Sequence, residues 1–225
     1  MPLRKSQILA KLIFSLPRSC RGAGAALSLV FVVLLSVVRG AEEGASGVST
    51  PVVTTITEYW TAATVAPNEP CRIKLDLQIT YYDPFWPNLF WAQDSSIPSY
   101  LPTQGFTAGI RAGQRIRVEG VVVPAKGFVF SELKIAVLAE HDEVVPLDAR
   151  GRLLDAATLN GRLVTAEGCV SRQVDEDSNH FLLDLDVEGV RTTVRVLVEA
   201  NAPIPQLEGA FVRVSGVYLL REVEG

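Results

Sequence analysis

The chain of 225 residues has room for one medium domain or two small ones, and 48% hydrophobic residues with a mean hydropathy of +0.25 can bury a core, which excludes disorder as the main state. Its net charge of −4 conceals a split. The first 40 residues hold Arg4, Lys5, Lys11, Arg18, Arg21 and Arg39 and no acid, whereas residues 41–225 hold 15 basic and 25 acidic side chains and sum to −10. An acidic body lacks the basic stripe that phosphate contacts require, so nucleic acid is not an expected partner.

After the basic stretch, Ala25–Val38 is uncharged. At 14 residues it is short for a hydrocarbon core of about 30 Å but suits the apolar region of a signal peptide. Residues 1–40 therefore read as a signal peptide cleaved after Gly40, or as an uncleaved membrane anchor, and the protein as exported to the periplasm or cell envelope. Residues 41–70, with Gly44-Ala-Ser-Gly47 and a Thr-, Val- and Pro-containing stretch, read as a linker. Cys20 falls within the leader. Cys71 and Cys169 can pair as a disulfide in an oxidising compartment, or each can be a small apolar strand residue; neither has a second Cys or His at metal-ligand spacing.

From Cys71 the pattern has period two. Cys71, Ile73, Leu75, Leu77, Ile79 and Tyr81 alternate with Arg72, Lys74, Asp76, Gln78 and Thr80, which gives a strand with one apolar face. Similar signatures recur at 115–119, 133–137, 181–187, 194–198 and 212–214, while the one helical candidate is Asp148 to Asn160. An internal repeat orders these strands: Gly113-Gln-Arg-Ile-Arg-Val-Glu-Gly-Val121 matches Gly209-Ala-Phe-Val-Arg-Val-Ser-Gly-Val217 at five of nine positions. The expectation is an all-β chain with two tandem five-stranded OB-like barrels, at 71–145 and 161–225, joined by a connector at 146–160. Carrying the repeat's offset forward puts the last strand of the second barrel beyond residue 225. That barrel is expected to lack it and to leave an edge open to pairing, in a chain that is part of a longer protein.

The window Tyr81-Tyr-Asp-Pro-Phe-Trp-Pro-Asn-Leu-Phe-Trp-Ala-Gln-Asp94 places six of the chain's 17 aromatic residues in 11 positions around a turn. Tyr82, Asp83, Trp86, Trp91 and Asp94 are the candidate ligand contacts, the rings by stacking and the carboxylates by accepting hydrogen bonds, while Tyr81 and Phe90 suit the core. His141 reads as a solvated residue and His180 as part of a hairpin turn, since Asp175–Asn179 lacks EF-hand spacing. No catalytic set, metal site or cofactor motif emerges, so a non-enzymatic role is expected.

The aromatic window, Gly113–Gly120, Ala166-Glu-Gly168 and Val212–Gly216 together resemble the N-terminal extracytoplasmic region of certain large bacterial sensor histidine kinases, over residues 72–225. That resemblance implies a signal sequence before two OB-like modules, a sensory or interaction role in the envelope, and a membrane helix and kinase core downstream. Here no phosphoacceptor segment or nucleotide-binding glycine motif follows, so kinase activity does not carry over to these residues. The expected partners are an unidentified small molecule or envelope protein, the membrane, and a second copy in a homodimer. An exported structural or interaction module is the alternative, and a nucleic-acid-binding OB-fold protein, which the aromatic residues suggest and the acidic body speaks against, is the third reading.

Overall fold

The computed structural model describes residues 3–11, 51–86, 90–105, 109–142, 144–198 and 202–223. In chain order they form β1 (Leu3–Lys11), β2 (Val52–Val53), α1 (Ile56–Val65), β3 (Cys71–Tyr82), β4 (Phe90–Gln93), β5 (Pro98–Tyr100), β6 (Thr103–Gln104), β7 (Arg115–Val122), β8 (Phe128–Val129), β9 (Lys134–Ala139), β10 (Leu147–Asp148), α2 (Ala156–Leu159), β11 (Leu163–Asp175), β12 (His180–Val187), β13 (Val190–Leu197) and β14 (Phe211–Val223). The fold is mostly β, and its strands build two lobes with separate cores. The apolar run Ala25–Val38 and Cys20 lie outside the described residues.

In the first lobe β3 buries Ile73, Leu75, Leu77 and Ile79 and turns Arg72, Lys74 and Asp76 outward, the alternation that its sequence requires. Its first eight residues pair antiparallel with β7, and after a bulge between Ile79 and Tyr81 its end pairs with β4. β5 extends β4, β9 extends β7, and a short parallel ladder joins β6 to β8. The stretch expected to be a linker instead contributes α1, which buries Ile56 and Tyr59 in this core, with the Tyr59 ring centroid 4.8 Å from that of Phe128. Thr55 and Glu58 form a capping box at its start.

The second lobe repeats this plan. Gly113 N donates to Ile79 O, and Ile79 N to Gln114 O, both at 2.8 Å; Gly209 N donates to Val170 O, and Val170 N to Ala210 O, both at 2.9 Å. Both glycines adopt left-handed backbone, φ 87° and 81°, which explains their retention at the head of the repeat. The bulge also recurs, between Val170 and Arg172 where β11 passes from β14 to β12.

The end of the second lobe departs from expectation. The open edge predicted beside β14 is covered by β1, which runs antiparallel to β14 from Leu3↔Val223 to Ala10↔Gly216 and parallel to β13 from Gln7↔Thr193 to Lys11↔Leu197. The position that β9 takes beside β7 is thus filled by Leu3–Lys11, a segment far from β14 in sequence. Pairings run β11–β12–β13–β1–β14 and return to β11, with Ile8 wholly buried in the core. The basic start of the segment read as a leader is a strand because its partners, not its own pattern, make it one.

The helix expected over Asp148–Asn160 shrinks to the single turn α2, because Gly151 sits at φ 66° and interrupts it. Leu153 and Leu159 are buried there and Leu154 is exposed. Gly168 marks a close approach of β11 to β12: a Cβ at this position would lie 2.2 Å from the Asp186 carbonyl oxygen. Gly168→Ala is expected to destabilise the protein by about 1–3 kcal/mol, read as a lowered urea midpoint, because the obstacle is backbone that cannot rotate away.

Candidate functional site

The aromatic window forms part of the contact between the lobes. Beyond its bulge, β3 buries Tyr81 against Val217, with Trp91, Leu163 and Leu219 packed around them. The chain then turns at Asp83, whose Oδ1 accepts from Phe85 N at 2.9 Å and Trp86 N at 3.1 Å, an Asx-type turn that aims both rings at the second lobe.

There they meet His180, the first residue of β12. Its Nε2 lies 2.7 Å from Asp83 Oδ2, and its Nδ1 lies 2.8 Å from Asp177 Oδ1. His180 is fully buried and Asp83 is 2% exposed, so the first of these pairs is shut off from water. Both ring nitrogens thus face carboxylate oxygens, one from each lobe. The Trp86 ring covers the imidazole at 4.9 Å between centroids and donates Nε1 to Asp177 Oδ2 at 3.3 Å. Arg195 of β13 lies over that indole, its Cζ 4.1 Å from the ring centroid, with Nε 2.7 Å from Glu176 Oε2. Burial, then the Asp83 carboxylate, pushes the Tyr81 hydroxyl pKa well above the ordinary tyrosine value.

Asp83 and Trp86, two of the five candidate ligand residues, thus meet in a clamp between the lobes. The other three sit elsewhere. Tyr82 faces Phe90 edge-on at 6.1 Å, and Trp91 packs on Tyr100 at 5.6 Å. Asp94 accepts from Ile56 N at 2.6 Å, capping α1, and from Ser96 N at 2.7 Å. Burial acts to raise its pKa, but the hydrogen bonds from Ser96, Ile56 and Ile97 outweigh it and hold the carboxyl below 3.8. His180 is the residue that sequence reasoning passed over. It does end a hairpin turn, with Glu176 N and Asp177 N donating to its carbonyl at 3.0 and 3.1 Å, but nothing local reveals a partner in the other lobe.

The possible disulfide is not formed. Cys71 opens β3 in one lobe and Cys169 lies exposed in the middle of β11 in the other, and both thiols are free. Among the described residues no group of three or more His, Cys, Asp or Glu is placed to hold a metal ion. One groove of about 540 Å³ on the second lobe is lined by residues including Arg150, Glu167, Cys169 and the exposed Phe211, and neither it nor a groove of about 330 Å³ beside Val121 includes the aromatic window.

Asp177 carries a pH signature. Partial burial would raise its pKa, but hydrogen bonds from Asn179 N and His180 outweigh it and lower the carboxyl below 3.8. A carboxylate depressed in the folded state contributes stability that is present above the unfolded value and is lost as pH falls through the folded one. Asp177→Asn is therefore expected to flatten the acid limb of a stability–pH curve below pH 3.8, as read by urea midpoints at stepped pH.

Comparison with known proteins finds no matching family model, no similar curated protein and no similar solved structure.

Proposed function

We propose that the chain is a non-catalytic, extracytoplasmic sensory or ligand-binding region of the tandem OB-like kind, belonging to a membrane-bound two-component sensor histidine kinase. The observation that carries this reading is the repeated lobe: in each, a long bulged strand is shared between a meander and a glycine-headed strand, and the two copies are clamped together through Asp83, His180 and Asp177. The strand order supports the OB-like form. In the second lobe β11, β12 and β13 are a meander, β14 returns to β11, and a fifth strand lies parallel to the third. A buried hydrogen-bonded contact between two lobes suits a sensor, because a ligand that reaches Trp86 competes with Arg195 and Asp177 and so changes lobe packing directly.

Export gives Leu3–Lys11 a choice. The segment cannot serve as the basic end of a signal sequence, held on the inner side of the membrane, and lie in the second lobe outside it. In the described residues no helix is long and apolar enough to cross a membrane.

The test is to express the gene from Met1 to its natural stop codon, isolate membranes and incubate them with γ-labelled ATP. The expected result is an acid-labile phosphohistidine on this polypeptide; a polypeptide that stays in the soluble fraction or takes no label overturns the kinase reading. The second reading, an exported interaction module, is favoured by one observation: a strand from a distant part of the chain completes the second lobe.

A further inference from the structure

We propose that the two lobes part as rigid bodies in the native protein, opening at the Asp83, His180 and Asp177 clamp while both cores stay folded. The proposal goes beyond the sensor reading, and neither depends on the other.

The contact between the lobes is small and incompletely satisfied. Its apolar part is Tyr81 and Val217, ringed by Trp91, Leu163 and Leu219, whereas the cores around Leu75 and Leu183 each lie within one lobe. Its polar part gives register more than cohesion, because hydrogen bonds between the lobes replace those that the same groups make to water. Two donors at the contact receive no replacement. Trp91 Nε1 and Arg195 Nη1 are shut off from water and have no hydrogen-bond partner among the described residues. The Trp91 ring lies against Gly161 of the second lobe, where a Cβ would come within 3.4 Å of it. The Arg195 side chain is 9% exposed and directs its other nitrogens at Glu176, Nε at 2.7 Å and Nη2 at 2.5 Å. A buried donor without an acceptor lowers the stability of the closed form, and water restores the bond when the lobes part.

The connectivity permits the motion. No ladder crosses between the lobes, since the strands of the first pair within 52–139 and those of the second within 3–11 and 147–223, so parting breaks no sheet. Among the described residues the chain passes between the lobes at one place. It runs from Asp142, whose N donates to Gly113 O in the first lobe, to Leu147, which pairs with Val164 in the second. Val145 between them is 85% exposed and packs on neither core. Parting uncovers the Trp86 indole, the His180 ring and the Arg195 guanidinium together, three groups that the closed form stacks on one another.

The three tryptophans report on the opening. Trp86 Nε1 donates to Asp177 Oδ2 and Trp91 Nε1 is the donor without a partner, both at the contact, while Trp60 Nε1 donates to Ser99 Oγ at 2.8 Å inside the first lobe. The experiment is hydrogen exchange of the isotopically labelled full chain, followed by NMR at urea concentrations below the unfolding transition. The Trp86 and Trp91 indoles are expected to share one protection factor, at least about tenfold below those of the Leu75 and Leu183 amides in the two cores. Trp86→Phe removes the bond to Asp177 without touching either core. It is expected to lower the protection of the Trp91 indole by at least about threefold and to leave Trp60 and both core amides unchanged. Indoles as protected as the cores overturn the proposal, because the contact then opens only when the chain unfolds. A Trp91 that keeps core protection while Trp86 exchanges also overturns it, because Trp86 then swings alone, and so does a folded Trp86→Phe chain in which Trp91 is unaffected. Should that variant not fold, the comparison within the wild-type protein decides.

Discussion

Replacing His180 with Ala is expected to lower the stability of the full chain by about 3–5 kcal/mol, among the largest effects of any single side-chain truncation here. The reason is what is left behind. Asp83 is 2% exposed, and the imidazole faces its Oδ2 at 2.7 Å; without the ring that carboxyl oxygen stays buried beside Tyr81 with its imidazole partner gone. Asp83 cannot simply turn away, because its Oδ1 holds the amides of Phe85 and Trp86 and so sets the turn. Urea denaturation of wild type, His180→Ala, Asp83→Asn and the double variant forms a cycle that isolates the contact. The double variant is expected to be less destabilised than the sum of the singles, since changing both partners of the contact leaves neither stranded. Strict additivity would mean that the two residues do not act on one another. Because the pair joins the lobes, near-ultraviolet circular dichroism of Trp86 should change in the same variants even below the unfolding transition.

Ile8→Ala is the second large effect and asks a sharper question. A fully buried isoleucine in the second core is expected to cost about 2–5 kcal/mol when truncated. A residue in a removed leader costs nothing. The measurement combines the urea midpoint of the purified protein with the mass of its N-terminus. A chain that retains Met1 or Pro2 and loses stability on Ile8→Ala carries β1 as a structural strand. A chain that begins at Ala41 has its second lobe either open or completed by another strand, and Ile8→Ala then leaves the midpoint where it was.

The sequence made the repeated strands legible because each carries its own evidence. β3 shows alternating burial from Ile73 to Ile79, and β12 does the same with Phe181, Leu183, Leu185 and Val187 inward, so pattern alone assigns both strand and face. The head of the repeat was equally legible, since Gly113 and Gly209 both stand where left-handed backbone is required. α1 was open to discovery: Thr55 and Glu58 have capping-box spacing, but the threonines that follow mask the helical period. β1 was not legible, because Leu-Arg-Lys-Ser-Gln-Ile-Leu-Ala-Lys has no strong period and becomes a strand only between β13 and β14. The clamp was half legible. A cluster of aromatic residues around an Asp-Pro turn marked Asp83 and Trp86, but the chemistry that engages them, His180, Asp177 and Arg195, comes from the other lobe, and no local signal links positions so far apart.

The place of β1 also sets the order in which the protein can be completed as it is synthesised. Every strand of the first lobe pairs within residues 52–139, so that lobe can close soon after those residues leave the ribosome. The second lobe joins strands far apart in sequence, since Ile8 sits opposite Tyr218. β1 is therefore made long before its partner β14, and this closure carries the largest loop entropy among the described strand pairings. During that interval another strand can pair with β1 first, so whether the second lobe receives β1 depends on how soon β14 follows.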